Sequence, residues 1–134
     1  MRTLVSGAAL ALAATVYAQT AEEAFGVWEN PDNKSHTEFY KCGDGICGKI
    51  VRVVDGQKTD DKNPDPAKRS RPIVGLVIMQ GKKIGPAHWS GTLYNRADGK
   101  SYVGAVTVTS KNTLNLSGCE GQIFCETKTL TRVK

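Results

Sequence analysis

"AHWSGTLYN" (Ala87–Asn95) and "KSYVGAVTVTS" (Lys100–Ser110), joined by "RADG", are the two stretches that decide the fold. In the first, Trp89, Gly91 and Leu93 fall on one side of an extended chain, and His88, Ser90, Thr92 and Tyr94 on the other. In the second, Tyr102, Gly104, Val106 and Val108 oppose Val103, Ala105, Thr107 and Thr109. Side chains of a strand alternate between its two faces, so a sustained period of two marks strands with one face turned to a core. Asp98–Gly99 between them is turn chemistry, and the pair reads as an antiparallel hairpin.

Outward from this hairpin the same pattern recurs. "FGVWEN", "SHTEFYKC", "ICGKIVRVV", "IVGLVIM", "TLNLSG" and "FCETKTLTRV" are short and rich in β-branched and aromatic residues. Turn signals separate them: Asp44–Gly45, Asp55–Gly56, Gly81–Lys82, Lys111–Asn112 and Glu120–Gly121. Only "TAEEAF" reads as helical, a short turn with Thr20 as its cap. Consecutive strands joined mostly by short turns pair with their neighbours, and closing the sheet removes its exposed edges. The sequence therefore predicts an all-β fold, an eight-stranded antiparallel up-and-down barrel preceded by a helical turn, with a two-sheet sandwich as the alternative. Gly75, Gly91 and Gly104 fall inside predicted strands, where glycine marks a bend or a close approach; tight curvature of a small barrel explains them best.

The first 18 residues are expected to be a secretory leader. Met1–Arg2 supplies positive charge, "LVSGAALALAATV" an apolar run too short to span a bilayer, and Val16–Tyr17–Ala18 a small-residue cleavage site. The expected mature unit is one domain, residues 19–134, periplasmic or secreted, with no transmembrane segment. It carries one positive charge fewer than the +5 of the full sequence, too mild an excess to call for nucleic acid.

Cys42, Cys47, Cys119 and Cys125 form two close pairs. Zinc ribbons space each pair more tightly, and an oxidising compartment favours disulfides. Three connectivities are open; the Gly-containing turns inside each pair favour Cys42–Cys47 and Cys119–Cys125. Such local loops stabilise by about 2 kcal/mol each and pin turns more than the whole fold.

One segment departs from the strand pattern. "KNPDPAKRSRP" (Lys62–Pro72) carries Pro64, Pro66 and Pro72, each of which pushes its predecessor out of the helical region. Asn63 and Asp65 suit turn capping, and Asp65 is placed to pair with Arg69 or Arg71. The structural reading is a rigid, self-bonded loop against one rim of the barrel. A functional reading adds that Arg69 and Arg71 hold an anionic head group at the mouth.

Catalytic chemistry is sparse. His36 and His88 are isolated, no nucleophile elbow, phosphate loop or metal motif is present, and the acidic run Asp55–Asp65 lacks the ligand spacing of a calcium loop. No enzyme activity, cofactor or metal is expected.

Gly26–Val27–Trp28 on the first strand and Arg132 on the last resemble the Gly-x-Trp and terminal arginine of the calycins, which include the lipocalins. The resemblance implies barrel closure by Gly26, Trp28 and Arg132, a guanidinium over an indole contributing about 0.5–2 kcal/mol. "GVWEN", "CGDGICGKIV", "KNPDPAKRSRPIVGLVI", "WSGTLYNRADGKSYVG" and "TLNLSG…TLTRV" resemble, in order and spacing, the bacterial exported family called domain of unknown function 2147. Lys68 and Leu130 stand where that family often has leucine and an aromatic. The resemblance implies a lipocalin-like barrel in the cell envelope and no particular activity.

Two functions follow as expectations. The barrel binds a small apolar or amphipathic molecule, with Arg69, Arg71, Trp89, Tyr94 and Tyr102 as candidate ligand-binding residues. Alternatively it is a scaffold whose loops, "QGKKIG" and the Pro/Arg segment, meet an envelope protein or the cell wall.

Overall fold

Eight antiparallel strands close into a barrel in chain order, each paired to the next and the last to the first, in a computed structural model that describes residues 18–121 and 123–134. The expected leader lies outside the described residues except for Ala18. A 3-10 turn at Ala21–Ala24 leads into β1 (Gly26–Glu29), β2 (His36–Cys42), β3 (Gly45–Arg52), β4 (Val77–Gly85), β5 (His88–Asn95), β6 (Lys100–Ser110), β7 (Thr113–Glu120) and β8 (Phe124–Arg132). Thr20 caps the turn as expected: the Glu23 carboxylate accepts from the Thr20 amide at 2.9 Å and its hydroxyl at 3.2 Å.

The opening hairpin registers as its alternation required. Trp89 faces Val106, Gly91 faces Gly104, and Leu93 faces Tyr102. Trp89 and Val106 are buried, while Val103 on the opposite face is 57% exposed. The core gathers Trp28, Phe39, Ile46, Met79, Trp89 and Val106 with Leu114 and Leu130, and the two buried alanines of the 3-10 turn pack against it. Gly91 and Gly104 are forced by packing. A Cβ at Gly91 would lie 1.8 Å from the Gln80 carbonyl oxygen, and one at Gly104 2.7 Å from Leu93 Cβ.

The β1–β8 seam is short, Trp28 opposite Arg132 and Glu29 opposite Thr131. Beyond it Val27 donates to the Lys134 carbonyl at 2.6 Å, and Val133 donates back to Val27 at 2.7 Å. Closure thus rests on Val133 and Lys134 as well as on the strand itself.

Two local expectations are corrected. "IVGLVIM" is only partly strand: β4 begins at Val77, and Gly75, with φ +93°, sits in a turn where its amide donates to Ile50. Ile73 and Leu76 read as strand because they are apolar, but they are buried by a cluster with Ile50. Gly81–Lys82 is not a turn. β4 runs through it to Gly85 and reverses at Pro86–Ala87, since Gly81 is required where its Cβ would meet the Ser90 carbonyl oxygen at 2.7 Å.

Candidate functional site

Up-and-down topology gives the barrel two unlike ends. The β2–β3, β4–β5 and β6–β7 turns, the N-terminal 3-10 turn and the C-terminus share one end; the other four connections share the other.

The first end is sealed. Trp28 Nε1 donates to the Ala24 carbonyl and Trp89 Nε1 to the Ala21 carbonyl, each at 2.8 Å. A buried indole N–H needs an acceptor, and the 3-10 turn supplies one for each tryptophan. The Arg132 guanidinium lies 4.3 Å from the Trp28 ring centroid. It donates to Lys111 at 2.8 Å, to Phe25 at 3.0 Å and to the Glu23 carbonyl, so one side chain joins β8, the β6–β7 turn and the plug.

The second end holds a cavity of about 590 Å³. Its floor is apolar: Leu93, Leu116 and Leu130 line it and pack on the core below. Its rim is charged. Asp32, Asp98, Glu120, Glu126 and Lys128 all line it, with Tyr102. Tyr102 donates to Asp98, and its phenol is pushed up to about 12 by that bond, by burial, and by the charges of Asp98, Glu120 and Glu126. Lys128 reaches Asp32 on the β1–β2 connection and Glu126 at 3.0 Å, and these carboxylates, Asp32 first, hold its ammonium above the ordinary lysine range. At the tip of the β7–β8 hairpin, Ile123 is 83% and Phe124 74% exposed, and both line the cavity.

The long β3–β4 connection braces this end. Asp60 is fully buried and accepts from Tyr94 at 2.6 Å, from Asn63 at 2.8 Å and from Arg71 Nε at 2.9 Å. Burial alone would raise its carboxyl, but the bonds from Tyr94, Asn63 and Arg71 outweigh it and hold the group below the usual carboxylate range. Tyr94 is pushed up to about 12 by burial and by its bond to Asp60. Nearby, Arg96, almost wholly buried, binds Asp55 at 2.8 Å and also Gln57, and so ties the loop to the β5–β6 turn.

The pattern that defines a bacterial family described as "uncharacterized protein conserved in bacteria (DUF2147)" matches residues 26–132. The chain belongs to this family. The structure is similar to that of protein HP1028 from the human pathogen Helicobacter pylori, described as belonging to the lipocalin family, with 26% sequence identity, a TM-score of 0.74 and coverage of 83% of each chain. No curated protein matches the chain.

In this DUF2147 chain the residues singled out from sequence separate into three groups. Gly26, Trp28 and Arg132 meet at the sealed end, and Trp89 is buried beside them, away from the cavity. A side chain at Gly26 would collide with Arg132 at 2.5 Å, so the glycine makes room for the guanidinium. Tyr94 and Tyr102 line the cavity. Arg69 and Arg71 lie in the loop and do not line it. The pairing expected for Asp65 is corrected: Asp65 caps the 3-10 turn Pro66–Lys68 through Ala67 at 3.0 Å, and Arg71 turns to Asp60 instead. A fully buried carboxylate demands donors that an exposed one does not. Arg69 donates to the Asn63 carbonyl at 2.8 Å, and Asn63 accepts from Asp65 at 2.9 Å, while the prolines hold the path between them.

The cysteines pair locally, Cys42 with Cys47 and Cys119 with Cys125. The second bridge joins directly opposed residues and holds the hairpin that carries Ile123 and Phe124.

The charged rim went unnoticed in the sequence although a signal existed. Leu130 is buried, so alternation along β8 puts Lys128, Glu126 and Phe124 on the same, inward face. The same step along β7 from Leu116 reaches Glu120.

Proposed function

We propose that the barrel binds a small apolar or amphipathic molecule, without catalysis, in the cell envelope after export. The observation that carries this reading is the cavity of about 590 Å³, floored by leucines and sealed beneath by the tryptophan–arginine plug. Ligand pockets commonly hold about 300–1,000 Å³ and are mostly apolar with a few placed polar groups. The description of HP1028 as a lipocalin supports the same reading. Two disulfides fit a chain matured in an oxidising compartment. The polar groups at the rim are tied to one another, Tyr102 to Asp98 and Lys128 to Asp32 and Glu126, which holds shape rather than moving a proton.

Native mass spectrometry of protein purified from its own envelope tests the proposal. A bound species is expected on the wild-type chain and is expected to vanish in Leu116→Trp, which fills the cavity. A wild-type barrel that is consistently bare would overturn it.

A further inference from the structure

The cavity has a chemical sign. Four carboxylates line it, those of Asp32, Asp98, Glu120 and Glu126, against two cations, Lys128 and Arg96. The Arg96 charge is taken by Asp55, and Lys128 is shared between Asp32 and Glu126. The mouth is therefore acidic in a chain whose net charge is +5.

The placement is what makes this informative. Carboxylates scattered over an outer surface are ordinary solvation. Here Glu120 shares a face with Leu116, and Glu126 shares one with Leu130, the inward faces of β7 and β8. Across the hairpin Glu120 stands opposite Phe124, and Gly118 opposite Glu126. Tyr102 on β6 lines the same space and donates to Asp98, and Glu120 and Glu126 line it with them, so these three acids border one place. Directly beside them Ile123 and Phe124 stand almost fully exposed on a disulfide-held tip. Large apolar side chains next to inward-facing carboxylates, above a leucine floor, form a surface with two demands: an aliphatic or aromatic body, and a positive charge at its outer end. An ammonium there meets the carboxylates by charge and the Phe124 ring by its face.

We infer that the ligand is a cationic amphiphile, an amine or quaternary ammonium on an apolar body, held head outward with its charge among Asp98, Glu120 and Glu126. This rests on the cavity-binding reading above and gives it a head group. It also moves the expected head-group site from the arginines of the loop, where an anion was anticipated, to carboxylates that line the mouth, and so to the opposite charge.

The test compares three twelve-carbon probes by calorimetry below their micelle concentrations: dodecyltrimethylammonium, dodecanoate and dodecanol. The ammonium is expected to bind about tenfold or more tighter than the carboxylate at low salt, with the gap closing as salt screens the rim. The double variant Glu120→Gln/Glu126→Gln is expected to lose most of that preference while keeping dodecanol binding. Lys128→Gln removes the one lining cation that faces these acids and is expected to tighten the ammonium, a gain that a folding defect cannot imitate. Dodecanol or dodecanoate bound as tightly as the ammonium would overturn the head-group inference alone. Failure of all three probes to bind would overturn the cavity reading beneath it as well.

Discussion

The sealed end and the mouth are built from the same eight strands, yet they use opposite chemistry. At the sealed end two indoles are fully packed, their N–H groups answered by backbone carbonyls of a four-residue turn, and one arginine gathers three more carbonyls. At the mouth the inward positions carry carboxylates and a lysine, and the largest apolar side chains of the hairpin tip stand in solvent. Burial of large apolar groups is where folding free energy comes from, and exposed apolar or inward charged groups contribute little to it. The difference teaches a division of labour: one end holds the barrel shut, and the other is left free to meet something else.

Trp28→Ala tests that division most severely. It removes a fully buried indole, the N–H that donates to the Ala24 carbonyl and the seat of Arg132, and is expected to cost about 4 kcal/mol in chemical denaturation. A loss below about 1 kcal/mol would mean that the plug does not close the barrel energetically.

Asp60→Asn probes the brace of the mouth. It leaves Arg71, itself 37% exposed, facing an amide in place of a carboxylate, and an expected loss of about 2 kcal/mol follows from weakening the charge-assisted hydrogen bonds to this buried group. The carboxyl is held low in the folded state, so its stabilisation is complete above its unfolded value near 4 and fades as pH falls through the folded value. The wild type is therefore expected to lose stability on acidification below about pH 4 more steeply than Asp60→Asn. Parallel acid limbs in the two proteins would remove Asp60 from the account.

Phe124→Ser has the smallest expected effect on folding, within about 0.5 kcal/mol, because the ring is already 74% exposed. If the hairpin tip serves binding, the same variant weakens probe affinity while its melting temperature holds. A melting loss as large as that of Trp28→Ala would collapse the contrast between the two ends.

Much of this is legible in the sequence. Strict alternation through Trp89, Gly91, Leu93 and through Tyr102, Gly104, Val106 determined strands, their faces and their hairpin, because side-chain alternation is a local, covalent property of an extended chain. Turn chemistry between close cysteines favoured the local bridges among three open connectivities, and the resemblance to the calycins marked Trp28 and Arg132 for the seam between first strand and last. Where apolar content imitated periodicity, as in Ile73–Leu76, or glycine imitated a turn, as at Gly81, local reading failed, since burial there comes from distant Ile50 and Ser90.

The cavity was decided only by the tertiary structure. Its volume is the difference between the space eight strands enclose and the side chains that fill it, a sum over residues far apart in sequence. Whether Arg71 meets Asp65 or Asp60 likewise depended on which carboxylate the folded loop buries. The sequence determined which residues alternate; closure of the barrel decided that Glu120 and Glu126 share one mouth, because only register across neighbouring strands brings those inward faces together.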